Sequence, residues 1–316
     1  MKKIFILASL FVAAAFTSCE KSESVAKSET NTILVKAVLP GATRTAVLPG
    51  EEGYDVVWTE GDNVKVGNYQ AAGNSGYATQ PIQINETDAK IGYFSVDTKT
   101  GMTDPGVCAL YPNSAALQPG AAPSHQGIHQ QFFLNFPAAQ NAGENTPDPK
   151  ASLMFAWFAH PGENDGSTYE GVPSYNCEFK HIAAYCKLNF KNLDGTTISK
   201  VKFSVNDADA VLAGTTFAYN WEKEQILSNT EAENWTINAN QQTATAGVNA
   251  VEVTCEAAVD APVWFALIPS YGKKYTDVTV EVTVDGATKT KNFKGVDLEF
   301  KAGIVLSLDV DMTGAE

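Results

Sequence analysis

Basic residues are scarce in this chain: 22 Lys and Arg stand against 36 Asp and Glu, for a formal net charge of -14. No stretch gathers them into a stripe along which a phosphate backbone could lie, so nucleic acid is not an expected partner. Histidine and cysteine are also sparse, at 4 and 5 residues. No C-x-x-C occurs, which removes the usual zinc and thiol-redox signatures. His125 and His129 lie four apart in a loop bounded by Gly and Pro, where that spacing does not bring two rings to one face. His160 and His181 have no partner legible in the sequence. There is no G-x-S-x-G elbow and no local pattern that assembles Ser, His and Asp, so nucleophilic catalysis has no support. Paired carboxylates for sugar hydrolysis are not identified either, because abundance among 36 acids singles none out. The acidic groups at 163–166 and at Asn206-Asp207-Ala208-Asp209 lack the ligand pattern of a calcium loop and read as turns. The chain is expected to be no enzyme and to carry no cofactor or metal.

Helical periodicity is absent as well: past residue 30, no apolar stripe recurs at a spacing of three or four over a useful length. What is present is short apolar alternation between turn signals, at 56–58, 63–66, 82–84, 92–96, 107–111, 131–136 and 153–158. Gly61, Gly73, Gly76, Pro81, Pro105, Pro112, Pro119 and Pro123 punctuate the connections. The reading is all-β. A polar stretch at 160–175 has no periodicity and marks the expected boundary between two domains, 31–170 and 171–316. A composition 44% hydrophobic over 316 residues supplies real cores for both.

Beyond that boundary the strands read more cleanly. Ile182, Ala184, Cys186, Leu188 and Phe190 alternate inward, as do Val201, Phe203 and Val205. The segments 278–284 and 287–293 flank Asp285-Gly286, a two-residue hairpin turn. At the C-terminal end, Ile304, Leu306, Leu308, Val310 and Met312 alternate with Val305, Ser307, Asp309 and Asp311. That strand could complete its own sheet or a neighbour's. Cys108 and Cys186 sit in apolar strand patterns, where a free thiol behaves as a small core residue. With Cys177 and Cys255 they make an even number that also permits disulfides in an exported protein. Trp58 and Trp264 read as core, whereas Trp221 and Trp235 lie among polar residues and read as packing at a sheet end or as exposed.

The N-terminal residues carry an address. Lys2-Lys3, an apolar run over 4–16 and Thr17-Ser18-Cys19 form a removable signal segment, too short to span a bilayer. A Cys following small residues at the end of that run resembles the lipobox of bacterial lipoproteins, which implies a signal peptide of 1–18 and acylation of Cys19. Phe16 departs from the aliphatic residue common at that place. Multiple acyl chains anchor stably where one does not. Residues 19–30 read as a flexible Ser-, Glu- and Lys-rich tether.

The first structured piece is then 31–44, NTILVKAVLPGATR. Ile33, Val35, Ala37 and Leu39 fall on one face at period two, with Leu34 and Val38 on the other, the pattern of a strand inside a sandwich. A cut between Arg44 and Thr45 would free that whole strand from the rest of the chain.

Several short motifs occur in an order that resembles the fimbrillin-like lipoproteins of Gram-negative anaerobes, subunits of donor-strand (type V) pili. They are Thr43-Arg44-Thr45 after a first strand, Val57-Trp58-Thr59-Glu60-Gly61-Asp62, Ala109-Leu110-Tyr111-Pro112, Phe265-Ala266-Leu267-Ile268-Pro269, and Phe300-Lys301-Ala302-Gly303 before the final strand. The resemblance implies two transthyretin-like β-sandwiches, transport to the outer membrane and proteolysis after Arg44. It also implies assembly by strand exchange with other fimbrial subunits. The displaced strand would be Ile33, Val35, Ala37 and Leu39, and the candidate donor Ile304, Leu306, Leu308, Val310 and Met312. The expected role is a structural or accessory subunit of a cell-surface fimbria (pilus) that supports cell adhesion. The alternative is a surface lipoprotein that binds a glycan or a host protein receptor and never polymerises.

Overall fold

The computed structural model describes residues 30–39, 48–50, 53–55, 57–68, 77–99, 107–115, 132–143, 146–158, 168–169, 172–208, 210–220, 225–227, 247–270 and 272–316. The expected signal peptide, Cys19, the tether before Thr30 and the Arg44-Thr45 bond lie outside them, as do His125, His129, His160, Asp209, Trp221, Trp235 and the 163–166 turn.

Among the described residues every regular element is a β-strand, apart from 3₁₀ turns at Asn113–Ala115 and Pro149–Ala151. The chain runs through β1 (Thr30–Val38), β2 (Leu48–Gly50), β3 (Gly53–Asp55), β4 (Asn63–Asn68), β5 (Tyr77–Pro81), β6 (Gln83–Ile84), β7 (Ile91–Lys99) and β8 (Val107–Tyr111). It continues with β9 (Phe132–Phe136), β10 (Ala139–Asn141), β11 (Met154–Phe158), β12 (Thr168–Tyr169), β13 (Val172–His181), β14 (Ala184–Lys191) and β15 (Thr197–Val205). The last are β16 (Gly214–Asn220), β17 (Gln225–Leu227), β18 (Ala250–Ala258), β19 (Val263–Leu267), β20 (Tyr275–Val284), β21 (Ala287–Leu298) and β22 (Val305–Asp311). Val57-Trp58, expected in a strand, is irregular, because Trp58 N–H donates to the Ala89 carbonyl (2.8 Å) outside any ladder.

One continuous sheet, in the order β5-β4-β8-β11-β13-β1-β7-β6, builds the first core, with β12 added on β13. It curls until β4 and β5 meet β7, so a single face encloses Val35, Ala37, Trp58, Val64, Val66, Phe94, Val96 and Phe179. The second core lies among the sheets β10-β18-β15-β20-β21, β19-β14-β22 and β17-β16-β9. There Phe203 packs on Phe265 and Phe300, with centroids 5.3 and 6.1 Å away.

β8 and β11 feed both cores. Ala109, Tyr111, Met154 and Ala156 face the first, while Leu110 and Phe155 between them face the second. A strand covered on both faces needs apolar residues at every position, which is why β11 reads MFAWF without alternation. The strand order places β9 and β10 with the second core and β13, which follows Glu170, with the first sheet.

Candidate functional site

β1 is the element around which the first sheet is arranged. It pairs antiparallel with β7 over its whole length, Thr30 opposite Lys99 to Val38 opposite Ile91. On its other side it pairs parallel with β13 from Leu34 opposite Ser174 to Val38 opposite Glu178. Among the described residues that pairing starts at Leu34 and Ser174. The inward residues behave as their spacing predicts: Val35 and Ala37 are fully buried, Leu39 is buried, and Ile33 packs partly against the same core. The first strand of the described chain is thus an inner strand, and its loss would leave an apolar slot between β7 and β13.

At the end of β1 nearer Arg44, motif residues far apart in sequence converge. Ala37 stands opposite Gly92, a small pair that leaves room for an indole. Trp58 fills it: its Cδ1 and Nε1 lie 3.0 and 3.1 Å from where a Cβ on Gly92 would be, and its Nε1–H donates to the Ala37 carbonyl at 3.4 Å. The indole meets Tyr111 and Phe179 edge to face at 5.4 and 5.3 Å. Tyr111 O–H donates to Asp62 Oδ1 (2.9 Å), and Asp62 Oδ2 accepts from the backbone N–H of Thr59 (2.7 Å) and from its hydroxyl (3.1 Å). Burial first, then the Asp62 charge, pushes the Tyr111 phenol well above its ordinary range. Leu39 N–H donates to the Lys90 carbonyl (2.9 Å), next to the Ala89 carbonyl that receives Trp58.

The candidate donor strand is seated in its own unit. β22 pairs parallel with β14, Tyr185 opposite Val305 to Lys191 opposite Asp311, and no described strand borders its other edge. Val310 and Met312 are buried, Leu306 and Leu308 half-buried, and Ile304 is 40% exposed. Glu316 is pinned back, its N–H donating to the Thr290 carbonyl (3.1 Å) and its backbone oxygen accepting from the Thr290 N–H (2.7 Å).

Other residues singled out in the sequence take structural places. Cys177 is buried, Cys186 and Cys255 are buried free thiols, and Cys108 contributes its backbone to β8. Asp207 ties its loop to β20, accepting from Thr276 N–H and hydroxyl (both 2.8 Å) and Asp277 N–H (2.9 Å); those bonds, Asp277's foremost, hold its carboxyl below the usual range. His181 Nδ1 lies 2.9 Å from the Tyr185 hydroxyl. Trp264 is buried, with Lys187 Nζ 5.4 Å from the centre of its ring.

No protein-family model and no curated protein matches the chain. Among solved structures, a candidate cell adhesion protein from Bacteroides ovatus is similar over 90% of this chain and 92% of its own, at 13% identity and a TM-score of 0.49. One from Bacteroides fragilis covers 88% of this chain and 92% of its own, at 11% identity and a TM-score of 0.46. A fimbrial protein from Bacteroides ovatus covers 89% of this chain and 49% of its own, at 12% identity and a TM-score of 0.37. These descriptions are of the kind that the motifs resemble.

Proposed function

We propose that the chain is a cell-surface adhesion protein, a structural or accessory subunit of a fimbria, in which β1 fills a groove until a cut after Arg44 lets another subunit's strand replace it. The observation that carries this reading is the place of β1: first in the described chain, yet inside the sheet, paired on both sides and buried on its core face. Removing any other inner strand among the described residues would require two cuts. Removing β1 requires one, in the segment after Leu39. The cut converts an intramolecular contact into a bimolecular one and forfeits its effective concentration. An emptied apolar groove is an aggregation hazard, which couples release to insertion by β-augmentation.

β22 is the candidate donor. Detaching it from β14 breaks one ladder, whereas the groove between β7 and β13 offers two. Lipid attachment at Cys19 holds the precursor on the outer membrane until processing. Cys19→Ser is expected to move the protein out of the detergent phase in a partitioning assay, and unchanged partitioning would reject the anchor.

The experiment is limited trypsin-like cleavage. The wild type should give SDS-resistant oligomers after cleavage at Arg44, and Arg44→Ala should stay monomeric. Ile304→Lys alters a residue that is exposed in the monomer, so it should fold normally and form shorter oligomers. A cleaved wild type that stays monomeric by light scattering defeats the polymerising reading, and saturable polysaccharide binding by that monomer would establish the receptor-binding alternative.

A further inference from the structure

β1 is not held evenly. From Leu34 to Val38 it has ladders on both sides, and just beyond, Leu39 is tied to Lys90 and Trp58 holds the Ala37 carbonyl. From Thr30 to Ile33 its only strand partner among the described residues is β7. Among the described residues, the two ends of the strand therefore differ in what must break before they lift.

We propose that Trp58, Asp62 and Tyr111 are positioning residues that lock the Arg44-side end of β1, so that strand exchange begins at Thr30 and ends at Leu39. The inference rests on reading β1 as a displaceable strand and adds a direction to it. Opening from Thr30 breaks one ladder at a time, and each freed position of β7 is at once available to an incoming strand. Opening from Leu39 requires both ladders, the Leu39–Lys90 bond and the indole contact to fail together at the outset. The indole holds its place because Tyr111 and Phe179 brace its ring. Tyr111 is fixed in turn by the Asp62 carboxylate, which the Thr59 N–H and hydroxyl orient. A cut after Arg44 thus frees the covalent end of the strand while leaving that end the better held, which keeps the groove filled until a donor arrives at the other.

Peptide-resolved hydrogen exchange on the full, uncleaved chain in detergent tests this without relying on oligomer formation. In the wild type, amides of residues 30–33 should on average exchange at least about tenfold faster than those of 34–38, in proportion to the missing ladder. Trp58→Phe keeps ring bulk but removes the N–H, and should speed exchange at 34–39 roughly fivefold while leaving 30–33 and β15 unchanged. Tyr111→Phe, which removes only the hydroxyl facing Asp62, should act in the same direction and gives the reading if the Trp58 variant does not fold. Equal protection along wild-type β1, or an equal rise in both halves in the variants, would overturn the proposal. Failure of cleaved protein to polymerise would instead strike the fimbrial reading and leave this exchange pattern standing.

Discussion

Gly92 shows how little slack surrounds β1. A Cβ there would fall 2.4 Å from Ile82 Cγ2 and 3.0 Å from the Trp58 indole, and Ile82 is β-branched and stiff. Gly92→Ala is therefore expected to lower unfolding free energy by about 1–3 kcal/mol in denaturant titration; an unchanged midpoint would contradict the packing described. The thiols make a second residue-scale test. Cys186 and Cys255 are buried and form no disulfide, and burial pushes the Cys186 thiol well above its ordinary range. Both should resist alkylation in the native chain and react after denaturation without reductant, and a bridged peptide containing either one in a non-reduced map would refute this. The apolar setting of Cys186 and Trp58 is legible in their sequence neighbours. That Trp58 reaches the Ala37 carbonyl, 21 positions away, and Tyr111 the Asp62 carboxylate, 49 away, is not, because local pattern carries no record of contacts made by folding.

Elements with clear apolar alternation are the most legible. Ile182, Ala184, Cys186, Leu188 and Phe190 are all buried as their alternation requires. The Asp285-Gly286 hairpin joins β20 to β21 with φ of 48° and 84°, the positive pair that such a turn demands. β8 and β11 were legible as strands but not as shared walls, since an apolar run does not say which core receives which face. β22 brings a pH prediction. Asn192's side-chain amide, with the Thr313 N–H and hydroxyl, holds the Asp311 carboxyl down at about 2, and Lys191 holds Asp309 below its usual range. Carboxylates depressed in the folded state stabilise it above the ordinary Asp value of about 3.9 and lose that contribution as pH falls towards the folded value. Thermal stability should thus fall more steeply between about pH 4 and pH 2 in the wild type than in Asp311→Asn, followed by circular dichroism. Parallel curves would mean that these contacts do not help to seat the strand.

At the scale of the whole molecule, chain order and core membership diverge. β9 and β10 cross into the second core, where the buried Gln140 side chain donates to the Ala266 carbonyl (2.6 Å) and accepts its N–H (3.0 Å). β13 stays with the first sheet. Pairing between distant strands decides what belongs together. The same nonlocal pairing makes the first described strand an inner one, and the central claim is that this strand leaves and is replaced. Mass spectrometry of oligomers formed after cleavage at Arg44, with zero-length cross-linking, tests it most directly. The account predicts that the peptide ending at Arg44 is absent from the oligomers, and that β22 residues of one copy cross-link to β7 or β13 of another. Oligomers that retain that peptide, or cross-links of β22 only to its own β14, would contradict it.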